Sequence, residues 1–173
     1  MIRAAALLLS VAAGAVMADS MPLTENVVAF HGDWTVFVET APRECFVATT
    51  PRMARLVKGD TPVPSDRSPV LQVTIRPDEG TLAEVAYFVG DETLRISGGV
   101  ALEGKGIQML LIPQGAWAWP ENIDADMRAL ALMGDSAQVS LRGDLENGSL
   151  FTDVYSTNGL TEALTEAARR CAS

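Results

Sequence analysis

Between residues 34 and 155 the chain alternates short apolar runs with glycine- and proline-bearing turn signals, at a spacing of roughly 8–12 residues. That rhythm favours an antiparallel β fold over long helices or strand–helix repeats. The strand-like runs are Trp34–Glu39, Cys45–Thr50, Val70–Arg76, Ala83–Val89, Leu94–Ile96, Val100–Leu102, Ile107–Ile112, Gln138–Arg142 and Leu150–Tyr155. Turns are expected at Ala41–Glu44, Pro77–Gly80, Gly98-Gly99, Gly104–Gly106 and Glu146–Ser149, and a longer loop at Gly59–Pro69. Two segments carry a helical period instead. Asn122–Met133 sets Ile123, Met127, Leu130 and Ala131 on one face, with Gly134 as its stop. Gly159–Cys171 sets Leu160, Leu164, Ala167, Ala168 and Cys171 on one stripe, capped by Thr157 or Asn158. The expected fold is all-β: an antiparallel β-sandwich or flattened barrel with a C-terminal α-helix and one short mid-chain helix. Trp34, Val36, Leu71, Val73, Val85, Leu110 and Val139 are the expected core, in a single domain over residues 30–173.

Ahead of that domain, Met1-Ile2-Arg3 and the apolar run Ala4–Val16, closed by Val16-Met17-Ala18, read as a secretory signal peptide over residues 1–18. The run is about 13 residues, short of the roughly 20 that span a bilayer. Residues 19–29 read as a flexible segment. An exported chain meets an oxidising compartment, where the two cysteines, Cys45 and Cys171, are expected to pair. The rival reading, a catalytic thiol, needs a nearby base. The single histidine, His31, is distant in sequence and reads as a surface or strand-edge residue.

Little else in the sequence points to chemistry. Acidic side chains outnumber basic ones 22 to 13, for a net charge of −9, which removes the basic footprint of nucleic-acid binding. One histidine and two paired cysteines do not make a zinc site, and no P-loop, dinucleotide fingerprint or nucleophile elbow occurs. Asp78-Glu79 and Asp91-Glu92 lack the spacing of a calcium loop and read as solvated turns. Asn147-Gly148-Ser149 matches a glycosylation sequon but reads as a turn. No residue is singled out as catalytic, cofactor-binding or metal-ligating and none is expected, while a hydrolase using two carboxylates, which would meet only in the fold, stays open as a third reading. Trp117 and Trp119 share one face of a short strand. Large aromatics are mostly buried, so inward placement is expected. Facing outward, the pair would form a flat platform, and the candidate partner surface is the segment Trp117–Asn122, anchored by Trp117 and Trp119, together with the loop Gly59–Pro69.

Phe30-His-Gly-Asp-Trp-Thr-Val36, then Cys45-Phe-Val, then Asp153-Val-Tyr-Ser-Thr-Asn-Gly-Leu-Thr-Glu-Ala-Leu164 ahead of Cys171 resemble the invasion-associated locus B family. These are small secreted proteins of alphaproteobacteria. Ser156, Gly159, Thr161, Ala163 and Leu164 match the family's closing segment, while Thr157 and Leu160 depart from it. Val38 stands where many relatives carry a cysteine, so the chain looks like a divergent member with a single bridge. The resemblance implies a periplasmic or secreted, non-catalytic interaction module without a cofactor. Its partner would be a protein or another envelope component; relatives are known for host-cell invasion, a role that the fold alone does not transfer. The alternative is a lipocalin-like barrel for a small hydrophobic ligand, suggested by Gly32-Asp33-Trp34.

Overall fold

Alternation along the chain sorts side chains to the two faces of each strand. In the computed structural model, which describes residues 26–41 and 43–172, this sorting builds a sandwich. The expected leader and residues 19–25 lie outside the described residues. The strands are β1 (Val27–His31), β2 (Trp34–Thr40), β3 (Arg43–Thr49), β4 (Met53–Lys58), β5 (Thr61–Val63), β6 (Val70–Arg76), β7 (Thr81–Phe88), β8 (Val100–Gly104), β9 (Ile107–Gln114), β10 (Trp117–Trp119), β11 (Gln138–Asp144) and β12 (Ser149–Ser156). They form one antiparallel sheet in the order β1-β2-β3-β6-β7-β10-β9-β8-β11-β12-β4-β5. The sheet is folded over at β9. Its second half, Ile112–Gln114, pairs with β10, and its first half, Ile107–Leu111, pairs with β8. The expected all-β fold with two helices is thus the one observed, and β1 and β5 are its edges.

The two layers meet through Tyr87 of β7 and Phe151 of β12, whose rings stack at 5.5 Å, and through Tyr155, edge-on to Tyr87 at 6.5 Å. Trp34 is fully buried, and its indole N–H donates to the Ser156 carbonyl across the layers. Val36, Leu71, Val73, Val85 and Val139 line the same interior, as expected. Leu110 does not. β9 turns Leu111 and Pro113 inward, and Leu110 and Ile112 outward. The run Met109-Leu-Leu-Ile112 is apolar at every position, so its composition does not tell one face from the other.

The helices close the two ends. α2 (Leu160–Cys171) packs on β1, β2, β3 and β6 through Leu160, Ala163, Ala167 and Cys171. The expected Cys45–Cys171 disulfide is formed, with Cα atoms 5.8 Å apart. The helix starts not from a Thr157 or Asn158 side-chain cap but from Gly159 at φ 90°. A Cβ on Gly159 would overlap the His31 carbonyl, so glycine alone fits this close approach. Thr157 instead donates to the Ser136 carbonyl.

α1 (Ile123–Asp135) bridges β7 and β8, with Asn122 capping the Ala125 N–H at 3.0 Å. Its buried face is Ala125, Ala129, Leu132 and Met133, not the expected Ile123–Met127–Leu130–Ala131 stripe. The two stripes have the same spacing and differ by two residues. The alanine side wins because α1 lies close enough to β7 for Asp126 to accept the Val85 N–H at 2.8 Å. Pro120 turns the chain away after β10, so Asp126 replaces a strand partner for Val85. Gly134 is not the stop either: the helix runs to Asp135 and Ser136 caps it, donating to the Leu132 carbonyl.

Three further expectations change. Residues 27–29 belong to β1, because Val27 and Ala29 pair with β2. Leu94–Ile96 reduces to one bridge, Leu94 with Leu145. The Gly59–Pro69 loop contains β5 and is pinned to the interior by Arg67.

Candidate functional site

Two places concentrate chemistry, one sealed and one open. The sealed one is the ion pair between Arg67 and Asp153, whose side chains are 1% and 0% exposed. Arg67 donates twice to the carboxylate, at 2.8 and 3.1 Å, and once to the Val89 carbonyl, while its guanidinium lies 5.3 Å from the Phe151 ring centre. Tyr87 donates to Asp153 at 2.6 Å. Burial pulls the Arg67 pKa down, but the hydrogen bonds and charge of Asp153 outweigh it and hold the guanidinium charged. Burial, aided by the Asp153 charge, pushes the phenols of Tyr87 and Tyr155 far up, so both stay protonated. With no solvent contact, this group ties the loop ahead of β6 to the centre of β12.

The open site is on the outer face of β7, β9, β10 and α1. β10 pairs Trp117 with Phe88 and Ala118 with Tyr87. Tyr87 occupies the interior, so Ala118 faces inward and is fully buried, and both tryptophans face outward, half-buried. This corrects the expected inward placement. In an Ala-Trp-Ala-Trp run both faces read as apolar, and only the register against β7 decides. Phe88, Trp117 and Trp119 form a continuous row, with ring centres 4.8 and 5.9 Å apart.

Around this row lie apolar side chains in solvent: Leu110 is 60% exposed, Ile112 52%, and Ile123 and Met127 57% each. They come from outward-facing positions of β9 and from α1, where Ile123 and Met127 stay in solvent while Leu130 of the same stripe packs partly against the core. Between them opens a cleft of about 450 Å3 lined by Ile112, Trp119, Pro120 and Ile123, with Glu84, Glu121 and Asp126 at its polar side. Burial pushes the Asp126 carboxyl up; the Val85 N–H opposes this and the Glu84 charge adds to it. The expected segment Trp117–Asn122 supplies Trp119, Pro120, Glu121 and Asn122 to this site, while the contributions of β9 and α1 were not expected. Their signal was a surplus of apolar residues: two full apolar stripes on one helix, where a core needs one.

A second concavity lies on the outer face of the other layer, among Met53, Glu103, Lys105, Arg142 and Thr152. Its Arg142 and Glu103 pair with each other at 3.2 Å. Groups of three or more metal-ligating side chains do not occur among the described residues. No described helix is long and apolar enough to cross a membrane.

No family model and no curated protein sequence matches the chain. Among solved structures, invasion associated protein B from Bartonella henselae matches over 84% of this chain and 98% of that one, with a TM-score of 0.54 and 14% identity. At that identity the likeness is one of fold. The chain therefore has the fold of invasion associated protein B, the fold that its opening and closing segments resemble.

Proposed function

We propose that this protein is a non-catalytic binding module working outside the cytoplasm, and that it contacts a partner protein through the outer face of β9, β10 and α1. The carrying observation is the outward row of Phe88, Trp117 and Trp119, extended by exposed Ile112, Ile123 and Met127. A lone exposed apolar residue needs no explanation, but a contiguous aromatic and aliphatic patch with a polar rim is the usual composition of a protein contact. Tryptophan contributes most strongly to such contacts. The Cys45–Cys171 bond supports an oxidising compartment, as the leader-like N-terminus does.

Site-specific photo-crosslinking in the producing cells tests the reading. A photoreactive residue at position 117, 119 or 127 is expected to give one discrete protein adduct. The same residue at Leu150, exposed on the other layer, is expected to give none. Trp117→Ala and Trp119→Ala should each melt close to the parent, because neither ring enters the core. Equal crosslinking at Leu150, or unfolding of both alanine variants, would overturn the proposal.

A further inference from the structure

We infer that the cleft beside Trp119 receives a basic side chain, arginine above all, from an otherwise apolar segment of the partner protein. The inference rests on the docking face proposed above and adds the chemistry of its occupant.

The argument is charge complementarity at an apolar opening. Ile112, Trp119, Pro120 and Ile123 form the walls, and the polar groups facing the opening are Glu84, Glu121, Asp126, Gln114 and Asn122. No lysine or arginine lines it. Glu84 has a cation in Arg76, at 3.2 Å, and Asp126 is occupied by the Val85 N–H. Glu121 is exposed and has no ion pair among the described residues. Trp119 stacks beside Trp117 and also lines the cleft. A planar guanidinium stacks on an indole while donating to carboxylates in its own plane, which an ammonium does less well. Apolar neighbours of that arginine would meet Ile123, Met127 and the Trp117–Phe88 row.

The same features set other occupants aside. A second copy of the chain would bring the same carboxylates against each other, at a net charge of −9 per chain. An anionic lipid surface meets the same repulsion.

Half-exposed Trp117 and Trp119 are built-in fluorescence reporters, with buried Trp34 as background. The probes are an amidated dodecapeptide of alternating leucine and arginine and its glutamate counterpart, titrated at low salt into the full folded chain. The arginine peptide is expected to bind about tenfold or more tighter. Glu84→Gln/Glu121→Gln should weaken it about fivefold, the scale of exposed ion pairs. Asp60→Asn/Glu162→Gln removes the same charge on the β4–β5 turn and on α2, and should leave affinity within about twofold. Glu121→Gln alone serves if the double variant melts early. Equal binding of both peptides, binding of neither, or equal loss in both charge pairs would overturn the inference. Crosslinking at position 117 that persists alongside such a result would leave the docking face standing and remove only its basic occupant.

Discussion

Replacing Arg67 with methionine should cost this protein a large share of its stability, although Arg67 sits in a loop. The substitution leaves the Asp153 carboxylate at zero exposure with only the Tyr87 hydroxyl as donor, in place of the two bonds from Arg67 at 2.8 and 3.1 Å. Removing one partner of a buried ion pair costs about 3–5 kcal/mol. Domains of this kind have about 5–15 kcal/mol in total. Asp153→Leu should cost a similar amount, by stranding the guanidinium. The double variant Arg67→Met/Asp153→Leu buries no charge. It should lie within about 1–3 kcal/mol of the parent, the cost of the Tyr87 hydroxyl and the Val89 carbonyl losing their partners, and adding Tyr87→Phe should remove the hydroxyl's share. Urea unfolding followed by far-ultraviolet circular dichroism, with the disulfide intact, measures all four variants. If the single variants each cost less than about 1 kcal/mol, or if the double variant costs their sum, the pair is not the interlayer tie described here.

Three other outcomes follow from the structure. Cys45→Ser/Cys171→Ser should lose about 2–5 kcal/mol, and hydrogen exchange should rise first in α2, which the bond holds to β3. Gly159→Ala, forced into positive φ against the His31 carbonyl, should lose more than about 1 kcal/mol, seen as a lower Tm. Asp126→Asn keeps the acceptor for Val85 and removes a desolvated charge. The native Asp126 pKa is raised above its ordinary 3.8, so the ionised form opposes folding at neutral pH, and this opposition fades as pH falls from the raised value through 3.8. The asparagine variant should therefore melt higher than the parent at pH 7, and the gap should close below pH 3.8, as calorimetry across that range would register.

Elements with one apolar and one polar face were plain in the sequence. β11 and the amphipathic α2 fall where their periods put them, and β2, β3, β6 and β12 fall where turn residues bound a strand-like run, although Phe37 and Phe46 give β2 and β3 a second apolar face. The disulfide followed from compartment and count. Which face turns inward was not plain in three elements with apolar residues on both faces. α1, β9 and β10 each offer two candidate inward faces, and the choice rests on which fits a partner distant in sequence: Val85 for α1, Tyr87 for β10. The candidate site was half visible for the same reason, since its floor is made from the faces that lost that competition. β4 escaped notice because only Leu56 of its six residues is buried, so its composition has no period. The Arg67–Asp153 pair spans 86 positions, and nothing local to either residue announces the other.

The path of the chain between the layers also sets the order in which the molecule can assemble. After β3 it leaves the first layer, lays down β4 and β5 at the far edge of the second, and returns with β6. β4 has β5 on one side, but its other neighbour is β12, with Met53 opposite Val154, about 100 residues later. Loop closure on that scale is slow, and sheets built from such pairings fold in milliseconds to seconds. Until β12 is in place, the β4–β5 hairpin is a two-stranded ribbon with no layer to join, and such ribbons are marginal in water. Its free edge is then a template for strands of other chains.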